Sequence, residues 1–345
     1  MASESPSPSR VLLTGASGFV AEHILEQLLD AGYWVRATVR NEDKRRTVST
    51  LHPGALKLEI VIVADVGAPG AFTEALESID YIVHTASPFH FSATDMQKDM
   101  LDPAIKGTTE ILEAAAKHER VKRVVLTSSM ASVIDTPLIP GPGGKVYTEE
   151  DWNSVTLEQA LSHPAFAYHG SKTFAERAAF EFMERTKPAF DLVVLNPPFI
   201  YGPIKNKQSL TSLNTSSAVV HSLISSSKSS GVPPTQVPLW VDVRDVAHAH
   251  VLALQGGREI GNKRFLIQAD GTYTFGQVVD IVRAKFPQLA DRLPAQSGAR
   301  VEGDGEYSGD NSKSKRELGL VYKYSLEDSI TALVNDLLAL EETRV

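Results

Sequence analysis

Cysteine is absent from the 345-residue sequence, which removes disulfides, thiolate nucleophiles and sulfur-ligated metals from the available chemistry. A reducing compartment fits that composition, and a cytoplasmic location is expected. Long apolar runs are missing too. No stretch approaches the roughly eighteen residues needed to span a bilayer, and the apolar run from Leu192 is broken by Asn196, Pro197 and Pro198. Positive charge is in deficit, with 34 Lys and Arg against 42 Asp and Glu and a net charge of −8. Nucleic acid and anionic membranes repel such a chain, so neither is the expected partner, and a small molecule is. Metal-ligand spacing is also lacking: His84, His90, His118, His163 and His169 do not share a helix face with a carboxylate base, and His248 and His250 diverge. No metal is expected. Met1 to Arg10 is rich in Ser and Pro without an apolar run, and residues 1–9 read as a disordered arm, not a signal or transit peptide.

What is present is alternation. Short β-branched runs at Val11–Thr14, Trp34–Arg40, Leu58–Val63, Tyr81–Thr85, Arg123–Thr127 and Leu192–Leu195 predict strands. Segments such as Ala21–Leu29 and Ala104–Lys117, with apolar residues three and four apart, predict the helices between them. The pattern predicts an α/β fold, a doubly wound parallel sheet of the Rossmann type with a smaller, mixed α/β carboxy-terminal part. After Pro203 the texture changes. Lys205–Ser217 and Ser225–Gln236 are rich in Ser, Thr, Asn and Pro around a helical fragment at Ala218–Ile224, and they are expected to be mobile, as lids on a ligand site or as plain connections. Val241–Leu254 returns to strand then helix, Phe265–Ile267 is another candidate strand, and Thr274–Lys285 and Leu326–Leu340 read as amphipathic helices.

Directly after the first strand stand Gly15, Ala16, Ser17, Gly18, Phe19, Val20 and Ala21. Gly15 suits a tight turn, Gly18 lets backbone approach a pyrophosphate, and the following helix offers its unpaired amides. Arg40 ends the second strand where an NAD-preferring protein would carry Asp or Glu, and with Lys44 it offers positive charge to a 2′-phosphate. Arg45 and Arg46 read as solvated. Asp65 and Val66 follow the third strand and flank the expected adenine position, with helix capping the alternative for Asp65. Tyr168 and Lys172 stand four apart in a proline-free helical segment, Ala167–Met183, so one face carries a phenol and an ammonium. A carbonyl taking up hydride needs a proton, and a nearby ammonium lowers the phenol pKa toward working pH. Ser128 and Ser129 close the fifth strand at the edge where ligands of open α/β sheets lie. A hydroxyl there can donate to a carbonyl oxygen, or satisfy strand-end backbone, the reading favoured for Ser128.

These residues resemble the extended short-chain dehydrogenase/reductases, in the branch of dihydroflavonol reductases, cinnamoyl-CoA reductases and yeast methylglyoxal/ketone reductases. The resemblance runs from Val11 through nearly the whole chain, and its motifs are the glycine-rich turn, His84–Phe89, Leu126–Ser129, the Tyr168–Lys172 helix and Asn196–Pro203. It implies an NADP(H)-dependent carbonyl, aldehyde or ketone reductase. Ser129, Tyr168 and Lys172 would be its catalytic triad, with Arg40 on the 2′-phosphate and Lys44 beside it. Ala86 and Pro198 would line the nicotinamide end of the cofactor site, and Thr85 and Ser87 would also bind the cofactor. Phe89, Phe91, Phe199 and Tyr201 would wall an apolar substrate pocket. Glu149–Asn153 resembles the acidic-Trp-Asn segment of the yeast enzymes. Lys106 stands in a helix slot where family members often carry an Asn of the proton relay. That departure bears on the relay and not on the hydride step, since Tyr168 and Lys172 can deliver a proton resupplied by water. The implied organisation is an NADP-binding domain over 10–198, with 236–260 returning to it, and a substrate-binding part over 199–235 and 261–345, acting as monomer or homodimer. Two rivals remain: a sugar-nucleotide epimerase or dehydratase of the same superfamily, which needs a cationic pocket, and a non-catalytic NADP(H) sensor.

Arg40→Ala tests the cofactor assignment. Loss of a charge-assisted hydrogen bond, worth about 1.5–3 kcal/mol, should lower kcat/KM with NADPH by roughly ten- to a hundredfold and with NADH far less. Lys44→Ala controls for diffuse charge, and equal losses with both cofactors would place 2′-phosphate recognition elsewhere.

Overall fold

Because an apolar run of five or six residues between turn formers is too short for a helix and pairs well on both sides, the predicted runs become the strands of one buried sheet. In chain order the elements are β1 (Arg10–Thr14), α1 (Phe19–Asp30), β2 (Trp34–Val39), α2 (Glu42–Leu51), β3 (Leu58–Ile62), β4 (Tyr81–His84), α3 (Asp102–Ala115), β5 (Arg123–Thr127), β6 (Val146–Tyr147), α4 (Leu157–Ser162), α5 (Pro164–Thr186), β7 (Asp191–Asn196), β8 (Phe199–Tyr201), α6 (Thr215–Ile224), β9 (Trp240–Asp242), α7 (Val243–Gln255), β10 (Lys263–Leu266), α8 (Phe275–Lys285), β11 (Ser308–Gly309), α9 (Ser312–Glu317) and α10 (Leu326–Glu342). This computed structural model describes residues 9–87, 95–135, 144–206, 209–295, 301 and 304–342. The expected arm before residue 9, along with Phe89 and Phe91, lies outside the described residues.

The seven-stranded sheet has the order β10-β7-β5-β4-β1-β2-β3. From β7 to β3 every neighbouring pair is parallel, and strand order reverses between β1 and β4. That reversal makes the sheet doubly wound and opens a crevice beyond the carboxyl ends of β1 and β4, where ligands of such sheets bind.

The chain forms two compact units: Met1–Ser128 with Ser154–Leu195 and Ala247–Arg264, and Ser129–Asn153 with Asn196–Val246 and Phe265–Val345. In the first unit, alternate residues of the strands, Val124 and Leu126 on β5 and Leu192 and Val194 on β7, bury against Ile111 and Leu112 of α3 and Phe182 of α5. At the opposite end of β5, Arg123 is buried and paired with Asp191 at 2.5 Å. Its remaining donors reach the carbonyls of Ala253, Gly256 and Gly257 at 2.7–2.8 Å, which satisfies the orphan acceptors at the end of α7.

In the second unit, α6, α8 and α10 enclose an apolar core containing Tyr201, Val220, Leu223, Ile224, Val279 and Leu333. The helical fragment expected at Ala218–Ile224 is α6, which begins three residues earlier, at Thr215, and seats Val220, Leu223 and Ile224 in the core by three- and four-residue spacing. Phe275 N also donates to Thr235 Oγ1 at 2.7 Å. Tyr201 is not a pocket wall. It is 0% exposed and its hydroxyl meets that of Tyr273 at 2.7 Å, so it is a core residue with its polar end satisfied.

Asp242 ties this unit together, accepting from Arg244 Nε at 2.8 Å and from Ser329 Oγ of α10 at 2.6 Å. Gly202 passes beside it with φ +126°, and a Cβ there would lie 2.8 Å from Val243 Cγ1 and 3.1 Å from Asp242 Oδ2. Gly202→Ala is therefore expected to cost about 1–3 kcal/mol and to lower the thermal midpoint by several degrees. Gly231→Ala, at a position with nothing within 4 Å of its Cβ, should leave the midpoint within error. Equal midpoints for the two variants would remove the strain assigned to Gly202.

Candidate active site

The turn after β1 is shaped for close approach of a ligand backbone. Gly15 has φ +68°, and a Cβ on it would sit 3.0 Å from Ala86 Cα, so no larger residue fits without moving the end of β4. Thr14 fastens that end: its Oγ1 accepts from Thr85 N at 3.2 Å and Ala86 N at 3.1 Å. Gly18 is the N-cap of α1 and supplies no side-chain cap, leaving first-turn amides for an anion. Ser17 and Val20 are partly exposed around it, whereas the Phe19 ring is buried and can contribute only backbone. These features fit a pyrophosphate.

Arg40 follows β2 directly and is exposed. Neither its guanidinium nor the Lys44 ammonium has an ion pair or hydrogen bond among the described residues, while Arg45 and Arg46 pair with Glu42 and Asp43 on α2. The two unpaired cations are those expected at a 2′-phosphate. Asp65 Oδ1 accepts from Gly67 N at 2.9 Å, closing a turn, not capping a helix, and Val66 packs on the core.

Helix α5 carries the phenol and the ammonium. Pro164 at its first turn and the His163 cap, whose Nδ1 accepts from Ala165 N at 3.2 Å, start it. Tyr168 packs against Met100, Leu101, Val155 and Ala167. One turn on, Lys172 Nζ donates to Ser87 Oγ at 3.2 Å. A further turn on, Glu176 is fully buried. It accepts a short hydrogen bond from Ser128 Oγ and pairs with Arg264 Nε at 2.5 Å. Burial pushes Lys172 down to about 8, partly opposed by the Glu176 carboxylate, so it remains an ammonium at neutral pH. Burial, then the Lys172 charge, pushes His84 down to about 3. A cavity of about 20 Å³ lies among them, lined by His84, Ser87, Thr108, Ser128, Lys172 and Glu176 with their neighbours.

The sequence reading did not single out His84, Glu176 or Arg264 for this site. Glu176 had a readable sign, since it continues the four-residue spacing of Tyr168 and Lys172. Lys106 is exposed and faces Asp102 at 3.6 Å. The α3 side chains that reach the cavity are Ala104 and Thr108.

In the second unit, Ser129 caps the short 3₁₀ turn Met130–Ser132, its Oγ accepting from Ala131 N at 3.1 Å. Two side chains hold that turn. Asn196 Nδ2 donates to Ser129 O at 3.2 Å, and the buried Asn153 Nδ2 donates to the carbonyls of Ala131 and Ile134 at 2.9 and 2.6 Å. The acidic-Trp-Asn segment thus positions the backbone next to Ser129. Pro198 and Phe199 are half-buried, with the Phe199 ring stacked near Tyr201 and edge-on to Phe275.

A doubly wound sheet, a glycine turn onto an uncapped helix and a tyrosine–lysine helix define a dinucleotide-binding α/β enzyme fold. The family model described as the NAD dependent epimerase/dehydratase family matches residues 11–267, and the chain belongs to that family. It is 43% identical over 336 residues to the ketoreductase azaE of Aspergillus niger, covering 94% of this chain and 97% of the relative. It is 36% identical over 343 residues to the NADPH-dependent methylglyoxal reductase GRE2 of Saccharomyces cerevisiae, covering 96% and 98%. The crystal structure of Gre2 from Candida albicans in complex with NADPH superposes with a TM-score of 0.88 at 35% identity, over 96% of this chain and 99% of that one. Among the described residues, no helix is long and apolar enough to cross a membrane.

Proposed function

We propose that the chain catalyses NADPH-dependent reduction of an aldehyde or ketone to the alcohol, on a small-molecule substrate in the cytosol, as a monomer or homodimer. The observation that carries this reading is one face of α5. Tyr168 and Lys172 stand a turn apart there, and the ammonium is fastened to Ser87 at the carboxyl edge of the sheet. When bound, the cofactor supplies hydride. Tyr168 acts as general acid toward the carbonyl oxygen. Lys172 stays charged at neutral pH and stabilises the phenolate that forms. Ser129 donates to the same oxygen and orients the carbonyl. Gly15, Gly18 and the amides of α1 hold the pyrophosphate, and Arg40 with Lys44 takes the 2′-phosphate. The half-buried Phe199 contributes apolar wall, with Phe89 and Phe91 proposed from the sequence alone.

A panel of aldehydes and ketones followed by NADPH absorbance tests the reading, with sugar nucleotides as the alternative substrates. Turnover of the carbonyl compounds alone supports it, and turnover of sugar nucleotides alone overturns it in favour of an epimerase or dehydratase. In the same assay Tyr168→Phe should lose about 10²- to 10⁴-fold in kcat while still binding NADPH, because only the hydroxyl is removed. Retention of more than about a tenth of wild-type turnover would remove Tyr168 from the general-acid role.

A further inference from the structure

His84 is 2% exposed, and its hydrogen bonds determine which ring nitrogen carries the proton. Thr14 Oγ1 accepts from two backbone amides, Thr85 N and Ala86 N, which uses both acceptor positions of a hydroxyl. Its own proton is left for His84 Nδ1, 3.0 Å away. Nδ1 is therefore the acceptor, and a neutral ring carries its hydrogen on Nε2. That Nε2 is buried with no acceptor among the described residues, and His84 lines the cavity of about 20 Å³ that Lys172 also lines. A space of this size holds one water, which needs roughly 10–15 Å³ and two to four polar partners. The partners are present. The lining brings together residues that can donate to a water oxygen, His84 and Lys172, and residues that can accept its protons, Glu176, Ser128, Thr108 and Ser87.

We propose that His84 holds an ordered water against the Lys172 ammonium and that this water, not a side chain at position 106, relays the proton that replaces the one Tyr168 gives up. The inference rests on the carbonyl-reductase reading of the site. Its balance is simple: one proton leaves Tyr168 with the alcohol oxygen, and one from solvent returns by way of the water and Lys172. Exposed Ser87 lies on the same cavity and connects it to solvent. Position 106 cannot serve, because Lys106 is turned to Asp102 at the surface. Among the described residues, the titratable groups around Lys172 are His84 from β4, Tyr168 and Glu176 from its own helix, and Arg264 behind Glu176. From α3 only Ala104 and Thr108 reach the cavity. His84 is a positioning residue in this scheme and touches no substrate.

Three readouts test it. In a high-resolution crystal structure of the wild-type enzyme, with and without NADP, a water should lie within hydrogen-bond distance of both His84 Nε2 and Lys172 Nζ. Nitrogen-15 spectra of the wild type should show His84 neutral and protonated on Nε2 throughout the neutral range, with the resonance assigned by its loss in His84→Gln. In the pH profile of kcat/KM, activity that needs the ammonium falls as pH rises through the Lys172 pKa, about 8. His84→Phe removes the donor that holds the water. It should bring this alkaline limb down by about one pH unit, the size of one charge-assisted hydrogen bond, whereas His84→Gln, which keeps an N–H near the same point, should not move it. A folded His84→Phe with an unmoved limb, a cavity without the water, or an Nδ1-protonated ring would each overturn the proposal. If the wild type reduces no carbonyl compound, the functional reading fails on its own, since the water and the tautomer are read without turnover.

Discussion

A carboxylate buried beneath α5 sets the geometry on which the site depends. Glu176 is fully buried and accepts from donors that include Ser128 at the end of β5 and Arg264 on β10. A buried charge stripped of its partner costs about 3–5 kcal/mol, so the helix cannot turn about its axis without a large penalty. Such a pair adds less to net stability than to uniqueness of arrangement. What it makes unique here is the direction of Lys172 and Tyr168, one and two turns earlier on the same face. Gly170 acts from the other side, where a Cβ would come within 2.6 Å of Ala160 Cβ. Close packing of α4 on α5 therefore depends on its absence.

The same reasoning links the helix to the nucleotide turn. Thr14 closes β1, accepts the amides that end β4 and gives its proton to His84. The glycine turn, the end of β4 and the cavity under Lys172 thus share one hydroxyl. Gly15 lies against Ala86 with no room for a side chain. Under the proposed function, a ligand phosphate at the glycine turn and the chemistry proposed for Lys172 would be positioned by the same few backbone atoms. The Arg123–Asp191 pair at the opposite edge holds the amino ends of β5 and β7 in register, so the carboxyl edge inherits a fixed frame.

Much of this was legible in the sequence. The six predicted strands appear within a residue or two of their expected ends, because β-branched runs of that length between turn formers have few alternatives. The helix carrying Tyr168 and Lys172 was readable from its composition, and the basic pair at Arg40 and Lys44 from the missing acid after β2. What escaped was whatever depends on partners distant in the chain. Glu176 meets Arg264 from 88 positions away, and no local pattern announces that contact. Tyr201 read as a wall of the substrate pocket because its partner, Tyr273, lies 72 residues on. The Ser-rich texture concealed only the first turn of α6, Thr215–Ser217, since the fragment Ala218–Ile224 was readable from its apolar spacing. The tautomer of His84 follows only once Thr14, Thr85 and Ala86 are seen together.

Hydride delivery to a carbonyl carbon is the central claim, and isotopic labelling measures it directly. NADPH carrying deuterium on the transferred position of C4, turned over with a ketone that the enzyme accepts, should give an alcohol one mass unit heavier, with the label on the carbinol carbon. Tyr168→Phe should form the same labelled alcohol about 10²- to 10⁴-fold more slowly. An unlabelled alcohol, or label retained on the cofactor while the substrate is isomerised, would contradict net reduction at this site.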